Sequence, residues 1–136
     1  MDEWARIILE RLSAASAGRK DWIDLLDLAV ERQLPEARKL AIQKITQTFQ
    51  HTREGMGQVV MARKYRVKEW LQHGLETLVQ DAQFISDANA DVLGFKSVLK
   101  LARLRENNIK RQSGYYYGQG HMSVADVFRD ELKEMD

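Results

Sequence analysis

Cysteine is absent from the 136 residues. That excludes disulfides, thiolate metal sites and cysteine nucleophiles, and it suits an intracellular protein, cytoplasmic or nuclear. Proline occurs once and glycine eight times, so long helices meet few breakers. No apolar run approaches the ~18–20 residues of a membrane span, so no membrane association is expected. The opening Met1-Asp2-Glu3 lacks the basic-then-apolar order of a secretory leader. Neither charge sign dominates: 21 Lys+Arg against 20 Asp+Glu leave a net charge of +1, with no global pull toward nucleic acid or anionic lipid. What is present is a globular mixture, 44% hydrophobic and 30% charged, long enough to bury a core.

Apolar residues recur at helical spacing, and no strand-like alternation of useful length interrupts them. Trp4, Ile7, Ile8 and Leu12 share one face of a first segment that stops at Ser16-Ala17-Gly18. Asp21 is placed to cap a second helix whose buried stripe is Trp22, Leu25, Leu26 and Ala29. Pro35 suits the first position of a third, with Ala37, Leu40, Ala41, Ile45 and Phe49 inside. A break runs from His51 to Gln58, and a short helix follows with Val59, Val60 and Ala62. The clearest stripe is Val67, Trp70, Leu71, Gly74, Leu75 and Leu78. Gly74 costs about 1 kcal/mol relative to alanine in mid-helix, which points to a close helix–helix approach. Ser86 or Asp87 starts a short helix ending at Gly94, expected in the left-handed conformation. Phe95, Val98, Leu99, Ala102 and Ile109 predict the inner stripe of a long helix, widened by Leu101 and Leu104. Val124, Val127, Phe128 and Leu132 predict a last helix, with Ser123 and Asp126 as a weakened capping box.

These elements predict an all-α fold: seven or eight short helices in an irregular array around the Trp22, Trp70 and Leu99 stripes, without a sheet. Residues 1–111 read as one helical domain, 112–122 as a Gly/Tyr-rich loop, and 123–136 as a C-terminal amphipathic helix packing back on the domain. Residues 96–111 carry a net +5 and residues 123–136 a net −3. The last helix is expected to dock by its apolar face, with the charges setting orientation, since each exposed pair contributes only ~0–1 kcal/mol.

No catalytic constellation emerges, and no cofactor or metal is expected. His51, His73 and His121 have no partner histidine at metal-binding spacing. Asp21, Asp24 and Asp27 step by three, which suits a solvated face near a helix N-terminus better than an ion site. Arg63, Lys64, Arg66 and Lys68 form a basic run beside Tyr65 and Trp70. It is a candidate nucleic-acid patch, although a solvated turn accounts for it more simply. Tyr115, Tyr116 and Tyr117 form a tyrosine run suited either to a contact surface or to a loop over the core.

Several blocks follow in order: Trp22-Ile-Asp-Leu-Leu-Asp-Leu-Ala, Leu34-Pro35-Glu-Ala-Arg38-Lys-Leu40-Ala41-Ile42, Ala62-Arg63-Lys64-Tyr65-Arg66-Val67-Lys-Glu-Trp70-Leu71, Leu93-Gly94, and Leu99 to Glu106. With the closing Val127 to Leu132, they resemble the helical C-terminal half of fungal BTB/POZ-domain proteins, a region similar to a BACK domain. The Ala-Arg-Lys-Tyr-x-Val-x-x-Trp-Leu block is the most specific part. The resemblance implies a non-enzymatic interaction or scaffolding module. In that group the BTB part dimerises and can recruit a cullin ubiquitin ligase. No strand pattern precedes Trp22 here, so neither property is carried over. A helical region that elsewhere leans on another domain is expected to expose an apolar patch, with Trp4, Ile8 and the tyrosine run as its candidates. The expected partner is a protein or a second copy of the chain; nucleic acid is the alternative.

Overall fold

Helix α1, Arg19–Glu31, buries Trp22, Leu25, Leu26 and Ala29, the three- and four-residue spacing that one helical face requires. Its start differs from expectation. Gly18 is the N-cap, and Asp21 lies inside the first turn, where its Oδ2 accepts the Gly18 N–H at 3.1 Å. The carboxylate thus reaches back to the cap instead of forming it. At the other end the Leu34 N–H donates to the Ala29 carbonyl at 2.8 Å and the Gln33 N–H to that of Val30 at 3.4 Å. Gln33 has φ +54°, so a glutamine fills the left-handed position where glycine is usual.

Leu34 is extended, as the residue before proline must be, and Pro35 opens α2, Pro35–Phe49. Ala37, Ala41, Ile45 and Phe49 are buried, whereas Leu40, expected inside, is half-buried at the edge of the stripe. The two helices pack as a hairpin. Arg19 ties its open end: Nε donates to Thr48 Oγ1 at 2.8 Å, Nη2 donates to the Thr48 carbonyl at 3.3 Å, and the guanidinium lies 4.7 Å from the Phe49 ring centre.

This computed structural model describes residue 6 and residues 18–50, 54–81, 85–112 and 122–135. Among them the fold is all-α, with eight helices and no strand. The chain divides into two compact units, Met1–Thr52 and Arg53–Asp136. The hairpin of α1 and α2 belongs to the first.

The second unit begins with α3, Gly55–Tyr65, and α4, Lys68–Gln80. The break expected through Gln58 is shorter than its glycines suggest, because Gly55 and Gly57 both lie within α3. Val59 and Ala62 are buried, but Val60 faces outward. Val67, Trp70, Leu71, Gly74, Leu75 and Leu78 are all buried, as their spacing predicts. Helix α5, Asp87–Leu93, is capped by Ser86, whose Oγ accepts the Asn89 N–H at 3.1 Å. Gly94 has φ +92° but ψ 150°, a positive φ outside the left-handed helical region. Helix α6, Phe95–Gln112, follows directly.

The single last helix expected from the sequence is two pieces, α7 Val124–Val127 and α8 Arg129–Glu134, with Phe128 between them. Ser123 caps the first. Val124, Phe128 and Leu132 are buried and Val127 is half-buried, and both pieces pack on α4.

Candidate functional site

Helix α6 carries two apolar stripes on opposite sides. At 3.6 residues per turn, Leu101 and Leu104 fall on one side and Phe95, Leu99, Ala102 and Ile109 on the other. The sequence reading placed the second stripe inside, and the structure reverses this. Leu101, Leu104 and Asn107 are buried and Val98 is half-buried. Phe95 is 77% exposed, Ile109 66% and Leu99 41%; Val92, at the end of α5, is 59% exposed.

The reversal has a physical cause. The inner side holds polar residues that find partners elsewhere in the unit. The Arg63 guanidinium of α3 donates to both Glu131 carboxylate oxygens, at 3.1 Å from Nε and 2.9 Å from Nη2. It also donates to the Leu93 carbonyl and to Ser97 Oγ, each at 2.8 Å. One side chain thereby joins α3, the end of α5, the first turn of α6 and α8. Arg105 of α6 donates from Nε and Nη2 to the Leu78 carbonyl, at 3.0 and 2.6 Å, closing the C-terminal end of α4. Lys100 Nζ lies 5.2 Å from the Phe128 ring centre. With Ser97, Lys100 and Arg105 engaged there, Phe95, Leu99 and Ile109 are turned to solvent.

The outward stripe runs about 21 Å along the helix axis, from Phe95 to Ile109. Exposed Lys96, Arg103 and Lys110 flank one side of it. Glu106 interrupts it and pairs with Lys110 at 3.1 Å. Burying a phenylalanine or isoleucine of this kind is worth about 1.5–3 kcal/mol. Apolar exposure grouped on one helix face marks interaction sites.

The basic run is dispersed. Arg63 is taken up in the four-way junction. Arg66, in the left-handed conformation at φ +57°, donates from Nη2 to the Glu134 carbonyl at 2.6 Å. Lys64 Nζ lies 5.1 Å from the Tyr65 ring centre, and Lys68 is half-buried. The acidic C-terminal segment pairs with Arg63 of α3 through Glu131.

Trp4, Ile8, Tyr115, Tyr116 and Tyr117 lie outside the described residues, as do His51 and His121. His73 is exposed, and its Nδ1 lies 2.9 Å from Gln58 Oε1. Asp24 and Asp27 are exposed on α1. Among the described residues no three of His, Asp and Glu converge as a metal site, and no helix is long and apolar enough to cross a membrane. The Arg63 junction and the outward α6 face are the features sequence reasoning missed. The second had a visible signal, two stripes of similar weight on one helical wheel. No family model, curated protein or solved structure matches the chain.

Proposed function

We propose that the chain is a non-enzymatic protein–protein interaction module, and that it corresponds to the helical, BACK-like region of a BTB-type protein. The observation that carries the first part is the outward stripe of α6. A helix apolar on two opposite sides is incompletely partnered by its own domain. Phe95 and Ile109 are the anchors of that surface, because large side chains that become fully desolvated supply most of an interface's energy.

What supports the second part is the work done by six of the seven named positions of the most specific block, all but the exposed Lys64. Ala62, Tyr65, Val67, Trp70 and Leu71 are core residues of the α3–α4 hairpin, and Arg63 is the junction described above. The engagement of Arg63 and Arg66 weighs against nucleic acid as the partner.

The test is affinity capture with the wild-type chain beside a Phe95→Asp/Ile109→Asp variant, with light scattering on both. Because both positions are exposed, the variant folds with unchanged thermal stability. It loses the captured protein, or the self-association, that the wild type shows. Capture unchanged by the double substitution contradicts the reading.

A further inference from the structure

On the outward side of α6, Phe95, Leu99, Ala102, Glu106 and Ile109 follow one another by four, three, four and three residues, and all five are exposed. That alternation is the a/d seam of a coiled coil, the pattern by which one helix receives another. Lys96, Arg103 and Lys110 recur every seven residues beside it, so they form one exposed row, about 10 Å apart along the axis. They occupy the e positions, where charge selects the partner. On the other edge the g positions include Val98 and Arg105, both half-buried, and Arg105 is held by the Leu78 carbonyl. A cavity of about 220 Å³ opens beside the basic row, lined by Arg103, Glu106, Asn107, Lys110 and Met122.

Resting on the reading of this stripe as an interaction surface, we infer that its partner is an amphipathic helix of another protein, apolar along its seam and acidic along the edge that meets Lys96, Arg103 and Lys110. A helix fits because its 3.5-residue repeat stays in contact along the whole seam, whereas a strand alternates every two residues. A second copy pairing α6 with α6 meets like charges either way. Antiparallel, the two basic rows face each other; parallel, Glu106 faces Glu106. Glu106 is already answered by Lys110 at 3.1 Å. The seam and its row thus carry three cations against one carboxylate, a net +2. Acidic residues spaced by seven on the partner complement that row, and the cavity admits one carboxylate beside Arg103 and Lys110. Charges of this kind decide which partner binds more than how tightly.

The experiment uses the full chain and two fluorescent helical peptides, each about three heptads long with leucine at a and d. One carries glutamate and the other lysine at both e and g, so that either orientation is probed. In anisotropy titrations at low salt the glutamate peptide binds at least about tenfold more tightly than the lysine peptide, and added salt narrows the gap. Lys96→Glu/Arg103→Glu/Lys110→Glu reverses the preference. Phe95→Ala/Ile109→Ala, which adds no charge, weakens the binding of both peptides. All these positions are exposed, so thermal stability is unchanged. Equal binding of the two peptides, no binding of the glutamate peptide, or a preference that survives the triple reversal overturns the proposal. So does self-association of the wild type through positions 95 and 109. A captured protein lost from Phe95→Asp/Ile109→Asp but kept by the triple reversal overturns the charge match and leaves the interaction surface standing.

Discussion

Gly74 of α4 lies against Gly55 of α3 so closely that a Cβ built on either would stand 3.0 Å from the other's carbonyl oxygen. A Cβ on Gly74 would also come within 2.9 Å of Gln58 Cβ. Besides Val59 Cγ2, the atoms a Gly74 Cβ would meet are the Gly55 carbonyl and the first side-chain carbon of Gln58, which cannot swing aside. The contact sets the separation of the hairpin on which α6, α7 and α8 pack.

Two effects of opposite sign meet in Gly74→Ala. Helix propensity favours alanine by about 1 kcal/mol, while overpacking a tight contact costs about 1–3 kcal/mol. With backbone as the obstacle, the clash wins. Urea denaturation will show Gly74→Ala less stable than wild type by about 1–2 kcal/mol. A stabilised variant would mean that the helices are further apart.

Gln33 gives the reverse case. Its left-handed conformation costs a residue with a Cβ about 1–2 kcal/mol, and glycine adopts it without strain. Part of that gain is offset by glycine's greater freedom in the unfolded chain. Gln33→Gly is expected to raise stability by about 0.5–1 kcal/mol in a thermal or urea series. A loss of stability would contradict the turn geometry.

Arg63 and Lys64 are neighbours in sequence and unequal in structure. Arg63→Ala removes a bidentate ion pair and two further hydrogen bonds from partly buried groups, an expected loss of about 2–3 kcal/mol. Arg63→Lys recovers little, because an ammonium cannot present the planar fork. Lys64→Ala stays within about 0.5 kcal/mol of wild type. Equal effects of the two alanine variants would refute the junction.

Asp126 titrates below the ordinary aspartate value of 3.8, chiefly because the Ser123 hydroxyl donates to its carboxylate; the Ser123 backbone and Arg129 add to the shift. A depressed folded-state value means that the ionised form favours folding. Its contribution is fully present above the ordinary value and is lost as pH falls through the lowered one. Proton titration by NMR will show this midpoint moving up in Ser123→Ala. An unmoved midpoint would remove the hydroxyl as the cause.

Much of the fold was legible because periodicity is a local property. The stripe from Val67 to Leu78, the hairpin faces of α1 and α2, and the buried Val124, Phe128 and Leu132 all follow from residue spacing. Helix α6 was misread for a reason that spacing cannot reach. Its wheel offers Leu101 and Leu104 on one side, and Phe95, Leu99, Ala102 and Ile109 on the other. The choice between them is made by Arg63, Leu78 and Phe128, which lie distant in sequence. Glycine was misjudged in a related way: Gly55 and Gly57 read as breakers, yet both lie in a helix, and at position 55 the approach to Gly74 leaves no room for a side chain. The burial of Asn107 had no sequence signal, since a lone asparagine in a polar stretch looks like any solvated residue.

The most direct test of the interaction surface is photo-crosslinking from α6. A benzophenone side chain placed at position 95 or at position 109 is compared with one at position 43, exposed on α2. The account predicts one discrete adduct, a partner protein or a dimer of the chain, common to positions 95 and 109. That adduct is absent from position 43 and lost when Leu99→Asp is added. Adducts of equal yield at all three positions, or none at 95 and 109, would contradict it.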